Sequence, residues 1–331
     1  MHKGFASTEG TQRLAARFGR TRDFYRTAQG LTVSSIGIGS YLGAMDEACD
    51  QGYTAAVRAA VAGGINVVDT SLNYRQQRSE RAIGLALAEL ERAELVICTK
   101  AGFLVPDALP AGTLRSEDVA GGMHSMAPVF LRDQLDRSRQ NLGLDVIDVY
   151  YLHNPETQLA HVPEEEFYRR CRLAFECLEE CAAAGAIRYY GTATWNGYRE
   201  RKLSLTRLVR LAEEIAGHAH RFRFIQLPMN LAMPEALTSG VLAEAAGHGI
   251  TAMASASILQ GRLAQGLPPE MAQRFSGLRT GAQRALQFAR STPGVAVALV
   301  GMSQLSHVAE NLELAGVGPL TEAEYTGLFR P

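Results

Sequence analysis

Four residues that could hold or transfer a proton stand at or just beyond the ends of apolar runs in the sequence. Asp69 ends the run "INVVD", Lys100 ends "ELVICTK" and His153 ends "VIDVYYLH". Tyr74 follows Asp69 by five residues. If the runs are parallel strands of a barrel, their carboxyl ends meet at the face where catalytic groups gather. The four side chains are therefore predicted to share one mouth.

These residue types together suit the delivery of a proton to an oxygen that gains negative charge. A tyrosine phenol has an ordinary pKa of about 10, whereas a general acid works best with a pKa near the working pH. A lysine ammonium about 4 Å away stabilises a phenolate by roughly 4 kcal/mol, so Lys100 is predicted to lower the pKa of Tyr74. Asp69 would keep Lys100 charged, and His153 would donate a hydrogen bond to a substrate carbonyl.

The elements that must position these residues form a repeated strand–helix pattern from about residue 34 to 315. Short apolar strands that alternate with amphipathic helices are typical of a parallel sheet buried on both faces. Eight such units without a linker predict one (β/α)8 TIM barrel, so 1–331 is expected to be a single domain with its barrel core at about 33–316. The predicted strands are 33–40, 65–70, 94–100, 146–153, 186–193, 222–228, 250–256 and 294–301.

Two segments fall outside this pattern. Residues 24–35 carry Gln29-Gly30 between two alternating runs, which predicts an N-terminal β-hairpin ahead of the barrel. Residues 101–127 are rich in Gly and Pro and predict a long loop after the third strand. A loop of that length inside a compact domain is usually a lid or a binding loop.

Composition and charge exclude several classes of protein. The formal net charge of −1 argues against nucleic acid or an anionic membrane as the main partner. The N-terminus has no apolar core of signal-peptide length, and the longest apolar run, 294–302, is less than half a membrane span. The five cysteines include no Cys-x-x-Cys pair, which favours a reducing, cytoplasmic location and no metal site. The sequence does not indicate an oligomeric state.

An ordered set of motifs resembles the aldo-keto reductase family over about residues 31–311. The resemblance implies a barrel that binds a nicotinamide cofactor without a Rossmann motif. It implies that Asp69, Tyr74, Lys100 and His153 are the catalytic tetrad, with Tyr74 as the proton donor. The implied activity is the NAD(P)-dependent reduction of an aldehyde or ketone to an alcohol, or the reverse. The motifs are "GIGSY", "DTSLNY", "TKAGF", "IDVYYLHNP", "GTATW", "IQL", "LQGRL" and "HVAEN".

The cofactor contacts implied by the resemblance depart from the family pattern at several points. Ala193-Thr194 replaces the Ser-Asn that commonly holds the carboxamide, and Ser255 replaces the aromatic residue that stacks on the nicotinamide. Gly301 and His307 stand where NADPH-selective members often carry Lys and Arg. NADP(H) is therefore favoured, with NAD(H) as the second option. The implied cofactor contacts are Gly39, Ser40, Thr194, Gln226, Ser255, Gln260, Gly261, Arg262, Gly301, Met302, Ser303, His307, Glu310 and Asn311.

The resemblance also implies a small-molecule carbonyl or alcohol substrate. Its expected contacts are Tyr41, Phe103, His124, Asn154 and Trp195, and a catalytic role for His124 is left open. Asn154 stands where many members carry Trp, which predicts a more polar pocket.

Two other function classes remain open at this point. A barrel lyase or aldolase would use Lys100 as a Schiff-base nucleophile, although Asp69 opposes this by keeping the amine charged. A non-catalytic sensor or regulatory subunit of the same fold would bind the nicotinamide cofactor and couple it to a partner protein. Turnover, compared with tight cofactor binding, separates the second class from an enzyme.

Overall fold

The computed structural model describes residues 1–110, 114–265, 267–275 and 277–329. Eight of its strands, β3, β4, β5 and β8 to β12, pair in parallel and close into one barrel, which confirms the predicted (β/α)8 fold. The assignment of all 331 residues to one domain stays a prediction. In the described residues the strands are β1 Tyr25–Ala28, β2 Leu31–Ser34, β3 Ile36–Gly39, β4 Val67–Asp69, β5 Val96–Ala101, β6 Val119–Ala120, β7 His124–Ser125, β8 Ile147–His153, β9 Ile187–Ala193, β10 Phe222–Pro228, β11 Thr251–Ser255 and β12 Val295–Gly301.

Amphipathic helices connect the barrel strands. The longest, α5, buries side chains that recur every three or four residues, such as Phe167, Cys171, Ala174 and Leu178, which is the spacing of one helix face. No helix in the described residues is long and apolar enough to cross a membrane. The helices are α1 Thr8–Ala16, α2 Glu47–Ala62, α3 Arg78–Leu87, α4 Pro128–Leu142, α5 Glu164–Ala183, α6 Leu205–Ala216, α7 Glu235–Thr238, α8 Val241–Gly247, α9 Pro269–Gln273, α10 Gly281–Ser291, α11 Leu305–Leu312 and α12 Glu322–Gly327.

The predicted N-terminal hairpin is confirmed by the antiparallel pair β1–β2. Its turn residues, Gln29 (φ 49°) and Gly30 (φ 78°), both have the left-handed conformation that a tight hairpin turn requires. Side chains of β2 belong to the apolar cluster inside the barrel, so the hairpin closes the amino end of the barrel. That cluster contains Ala6, Ala28, Leu31, Val33, Val67, Val96, Cys98, Val149, Tyr151, Ala193, Phe224, Met253, Val297 and Leu299.

The predicted single strand 33–40 is wrong, because the chain divides it into β2 and β3. Ser34 ends the hairpin, and its Oγ donates to Ile36 O at 2.7 Å, which closes a bend between the two strands. Asn66 Oδ1 accepts the Ser34 amide hydrogen at 2.8 Å. The two strands on either side of Ser35 therefore belong to two different sheets.

The segment predicted as a long loop after the third barrel strand contains short elements of its own. In the described part of 101–127, β6 and β7 form a small antiparallel pair, and Phe103 forms an isolated bridge to His124. Residues 111–113 lie outside the described residues. This small pair brings Phe103 and His124 close to the end of β8.

Candidate active site

Asp69 and Lys100 form a buried ion pair where β4 ends and β5 nears its end. Lys100 Nζ donates to Asp69 Oδ2 at 2.7 Å and to Thr70 O at 2.8 Å. The second oxygen, Asp69 Oδ1, accepts from Gln226 Nε2 at 2.8 Å. The Lys100 side chain is fully buried. Both carboxylate oxygens are therefore engaged, and the ammonium is fixed in direction.

Tyr74 and His153 complete the group of four. The Tyr74 ring centroid lies 4.9 Å from Lys100 Nζ and 5.7 Å from the His153 ring centroid. Asp69, Tyr74 and His153 line one cavity, and Lys100 lies directly behind them. The four side chains thus share one mouth of the barrel, while their catalytic roles stay a prediction.

Burial decides the acidity of Tyr74. Removal from water raises the pKa of its phenol, Lys100 lowers it, and Asp69 raises it, with a net increase above the ordinary value of 10.0. The predicted net decrease is therefore wrong, although the direction of the Lys100 contribution is confirmed. Lys100 stabilises the phenolate, but the loss of hydration on burial destabilises it by more. At neutral pH Tyr74 is a protonated phenol, which is the form that a proton donor requires.

The pKa of Lys100 is raised, whereas the pKa of His153 is lowered. Burial lowers the pKa of Lys100, but Asp69 and Tyr74 raise it by more, so Lys100 stays charged. Burial, Lys100 and His124 together lower the pKa of His153 well below its ordinary value. The site therefore holds an ammonium beside a neutral imidazole at pH 7.

The ring of His153 is held on one side. Its Nδ1 lies 3.2 Å from Ser71 Oγ, and Phe103 packs edge-on at a centroid distance of 5.2 Å. Nε2 is the ring nitrogen that remains for a ligand in the cavity. This arrangement fits a group that contacts a substrate oxygen.

The cavity at this mouth has a volume of about 860 Å³. Two buried polar atoms on its wall, Thr194 Oγ1 and Asn311 Oδ1, have no hydrogen-bond partner among the described residues. Buried polar atoms normally have partners, so both are suited to a polar ligand. The predicted cofactor contacts on this wall are Gly39, Ser40, Thr194, Gln226, Ser255, Gln260, Gly261, Gly301, Ser303, His307, Glu310 and Asn311, and the predicted substrate contacts are Tyr41, Phe103, Asn154 and Trp195.

Three predicted contacts are not on the cavity wall. The Met302 side chain is buried in the core, and the Arg262 side chain points to solvent. His124 is fully buried behind Phe103. Its Nε2 hydrogen-bonds His153 O at 2.8 Å, so it contacts the backbone of the site and not the cavity.

Several residues that shape the site are not among those predicted from the sequence. Asn73 lines the cavity, and its Oδ1 lies 2.6 Å from Ser71 Oγ. The three residues after Tyr74 (75–77) have left-handed backbones, with φ of 49°, 51° and 71°, although none is glycine. Such strain tends to occur at functional sites. The motif "DTSLNY" contained both Ser71 and Asn73 as a usable signal.

Known proteins resemble this chain along most of its length. The chain is 27% identical over 314 residues to D-threo-aldose 1-dehydrogenase from Pseudomonas sp., covering 88% of this chain and 92% of that protein. It is 26% identical over 318 residues to a probable voltage-gated potassium channel subunit beta from Arabidopsis thaliana, covering 88% and 90%.

Solved structures share the same barrel. An aldo/keto reductase from Klebsiella pneumoniae, crystallised with NADP and acetate, has a TM-score of 0.69 at 22% identity, covering 93% of this chain and 94% of that chain. A glycerol dehydrogenase from Gluconobacter oxydans has a TM-score of 0.68 at 18% identity, with the same coverage. At these identities the likeness concerns the fold.

A family profile identifies the chain more directly. Residues 35–328 match the aldo/keto reductase family, a range that includes every member of the group around Tyr74. On this match, the chain belongs to the aldo/keto reductase family.

Proposed function

We propose that this protein reduces an aldehyde or ketone to an alcohol, or catalyses the reverse reaction, with a nicotinamide cofactor. The observation that carries the proposal is the buried pair Asp69–Lys100 beside the protonated phenol of Tyr74, with a neutral His153 across the same cavity. Proton delivery to an oxygen that becomes an alkoxide needs such a donor next to a fixed cation.

Each residue of the group would have a distinct task. Tyr74 keeps its proton until negative charge develops on the substrate oxygen and then donates it. Lys100 stabilises the resulting phenolate, and Asp69 holds Lys100 charged and in place. His153 would orient the substrate carbonyl by donating from Nε2, in the tautomer whose Nδ1 accepts from Ser71 Oγ. A bound nicotinamide supplies or accepts the hydride.

The cavity wall offers fitting partners for a dinucleotide. Thr194 Oγ1 would bind the carboxamide and Asn311 Oδ1 the adenine end, because both atoms are buried without a partner in the described residues. NADP(H) is favoured, and the NADP in the solved relative from Klebsiella pneumoniae supports it. NAD(H) stays the second option, because Gly301 and His307 supply no strong cation for a 2′-phosphate.

The substrate side of the cavity combines aromatic and amide groups. Tyr41, Phe103 and Trp195 supply apolar surface, whereas Asn73 and Asn154 supply hydrogen-bonding groups. A small hydroxylated carbonyl compound or alcohol suits such a wall, and the relative named D-threo-aldose 1-dehydrogenase supports this class. The cytoplasmic location stays a prediction.

A second candidate is a regulatory subunit that binds cofactor without turnover. The relative named as a potassium channel subunit beta favours it. The lyase alternative has less support, because Lys100 Nζ is fully buried and donates to both Asp69 and Thr70. A Schiff base requires a free, uncharged amine.

The purified protein should be titrated with NADPH and NADH and then tested on a panel of carbonyls and on aldose oxidation. We expect tighter binding of NADPH and turnover of at least one hydroxylated substrate. Tight binding without turnover on any substrate would favour the regulatory subunit. Borohydride trapping of a substrate on Lys100 would favour the lyase, and failure to bind either cofactor would contradict both nicotinamide-dependent candidates.

A further inference from the structure

One buried carboxylate outside the catalytic group supports a wall of the cavity. Glu156 follows β8 by three residues, close to His153 in sequence, and is 7% exposed. Its Oε1 accepts from three consecutive backbone amides, those of Trp195, Asn196 and Gly197, at 3.1, 2.9 and 3.0 Å. Consecutive amides that converge on one oxygen form an anion-binding nest. Here the anion is a side chain of the protein itself.

The loop held by this carboxylate carries two residues of the cavity wall. Thr194 and Trp195 line the cavity immediately after β9. Thr194 is anchored by its amide, which donates to Gln226 O at 2.8 Å. Beyond Thr194 the chain turns away from the sheet, and Glu156 provides its next anchor. The strand that ends in His153 and the loop that begins with Thr194 are therefore joined through one side chain.

The backbone of the loop at Gly197 is closely packed, so it has little space for another conformation. An added Cβ on Gly197 would lie 2.7 Å from Leu203 Cδ1 and 3.0 Å from Thr194 Cβ. The packing holds Gly197 tightly, but only Glu156 satisfies the amides of residues 195–197 in the described structure. Glu156 Oε2 is buried and has no partner among those residues. The cost of burying this charge is therefore offset mainly through the loop.

We propose that Glu156 is a positioning residue for the reaction, which fixes Thr194 and Trp195 against the nicotinamide and the substrate by holding the backbone of residues 195–197. This inference rests on the proposed function for its kinetic consequence. The geometric part, that Glu156 sets the conformation of the Trp195 wall, stands without it.

Trp195 makes the proposal directly measurable, because it is the only tryptophan in the chain. Its emission and its quenching by acrylamide report on this loop without interference. The test compares Glu156→Ala and Glu156→Gln with Glu244→Ala. Glu244 is a matched control, because its Oε1 accepts from the amide and the hydroxyl of Thr206 at 2.8 and 2.7 Å, at the start of α6.

We expect Glu156→Ala to increase the quenching of Trp195, to weaken NADPH binding and to lower kcat/KM by about 10²-fold, the scale of a small misplacement of reacting groups. Glu156→Gln keeps an acceptor oxygen in the same place, so kcat/KM should recover to within about tenfold of wild type. Glu244→Ala should lower the melting temperature but leave Trp195 quenching and kcat/KM unchanged.

The proposal is overturned if Glu156→Ala only lowers the melting temperature, as Glu244→Ala does, with wild-type quenching and kcat/KM. If Glu156→Ala does not fold, Glu156→Asp takes its place, because it keeps the charge but shortens the reach. Wild-type quenching and kinetics in both Glu156→Asp and Glu156→Gln would also overturn the proposal. If the wild-type protein turns over no carbonyl, the proposed function fails, and quenching of Trp195 alone decides whether Glu156 holds the wall.

Discussion

Two buried ion pairs lie at opposite ends of the barrel strands. At the carboxyl end, Lys100 Nζ and Asp69 Oδ2 are 2.7 Å apart, and at the amino end, Arg92 Nη2 and Asp148 Oδ2 are 2.6 Å apart. All four side chains are at most 6% exposed. In distance and burial the two pairs are nearly the same, so their difference must come from what surrounds them.

The pair at the amino end is surrounded by backbone. Asp148 accepts from the amides of Ala6 and Ile97, each at 2.8 Å. Arg92 donates to the carbonyls of Leu95 and Val146 at 2.6 and 3.0 Å. These bonds fasten the N-terminal segment to β5 and β8. A pair of this kind holds segments of the fold together.

The pair at the carboxyl end lies beside a side chain that can gain or lose a proton and beside the cavity. Lys100 faces the titratable phenol of Tyr74, and Asp69 reaches the cavity wall. A buried ion pair is weak evidence for stability by itself. We therefore expect a reactive pair to differ from a structural one by a third group that faces the cavity, here Tyr74.

The largest effect is expected when that third group is removed. Tyr74→Phe deletes the proposed proton donor and keeps the ring, so kcat should fall by about 10²- to 10⁴-fold with cofactor binding nearly unchanged. Steady-state kinetics and a cofactor titration measure both quantities. If the variant reduces carbonyls at the wild-type rate, Tyr74 is not the donor and the comparison fails.

Tyr25→Phe is the matched control at the amino end. Tyr25 Oη donates to Gly64 O at 2.8 Å, far from the cavity wall. Removal of this hydroxyl should lower the free energy of unfolding by about 1 kcal/mol and leave kcat unchanged. Removal of a tyrosine hydroxyl would then lower kcat at the carboxyl end of the barrel and the free energy of unfolding at the amino end.

The next effect concerns the acidic partner of each pair. Asp148→Asn leaves Arg92 buried without its counter-ion, and because a guanidinium cannot lose its proton, the free energy of unfolding should fall by about 3 kcal/mol. Asp69→Asn should instead lower kcat, because Lys100 can shed its proton when its partner is lost. Denaturant unfolding and kinetics on both variants measure this. Equal losses of stability with unchanged kcat in Asp69→Asn would contradict the distinction.

Much of the fold was predictable because the barrel strands are short apolar runs with few competing interpretations. The hairpin followed from Gln29-Gly30, since both turn residues must adopt positive φ. The split of 33–40 was not predictable, because the bend at Ser34 depends on contacts with Asn66, which comes from elsewhere in the chain.

The location of the site could be predicted from the sequence better than the protonation of its residues. Strand ends are readable from sequence, so Asp69, Lys100 and His153 could be brought to one mouth. The pKa of Tyr74 could not be predicted, because it depends on how much water the fold removes. The same is true of His124, whose position depends on the pairing of β6 with β7.

His124 gives the sharpest test of the difference between the two ends, because it lies at the carboxyl end but is hydrogen-bonded like a structural group. Its Nε2 must carry the hydrogen, because His153 O can only accept. Nδ1 therefore accepts from Gln158 Nε2 at 3.2 Å, and Gln158 Oε1 is occupied by Arg170 Nη1 at 2.9 Å. A proton on Nδ1 would point at the N–H of the Gln158 amide. The amide cannot flip to offer its oxygen instead, because that oxygen accepts from Arg170.

Burial lowers the pKa of His124 to about 4, against an ordinary value of 6.5. The unfolded chain then binds a proton that the folded protein does not, so stability is fully present above pH 6.5 and is lost as the pH falls toward 4. Between pH 7 and pH 5 this histidine should contribute about 2 kcal/mol to the loss of unfolding free energy. His124→Gln keeps a hydrogen-bond donor for His153 O. Between pH 7 and pH 5 its free energy of unfolding should fall by about 2 kcal/mol less than that of the wild type, and its kcat at pH 7 should be unchanged. Denaturant unfolding at both pH values measures the difference. If His124→Gln instead lowers kcat, His124 belongs with the groups that take part in the reaction. The location of a residue at the carboxyl end would then predict its role better than its hydrogen bonds do.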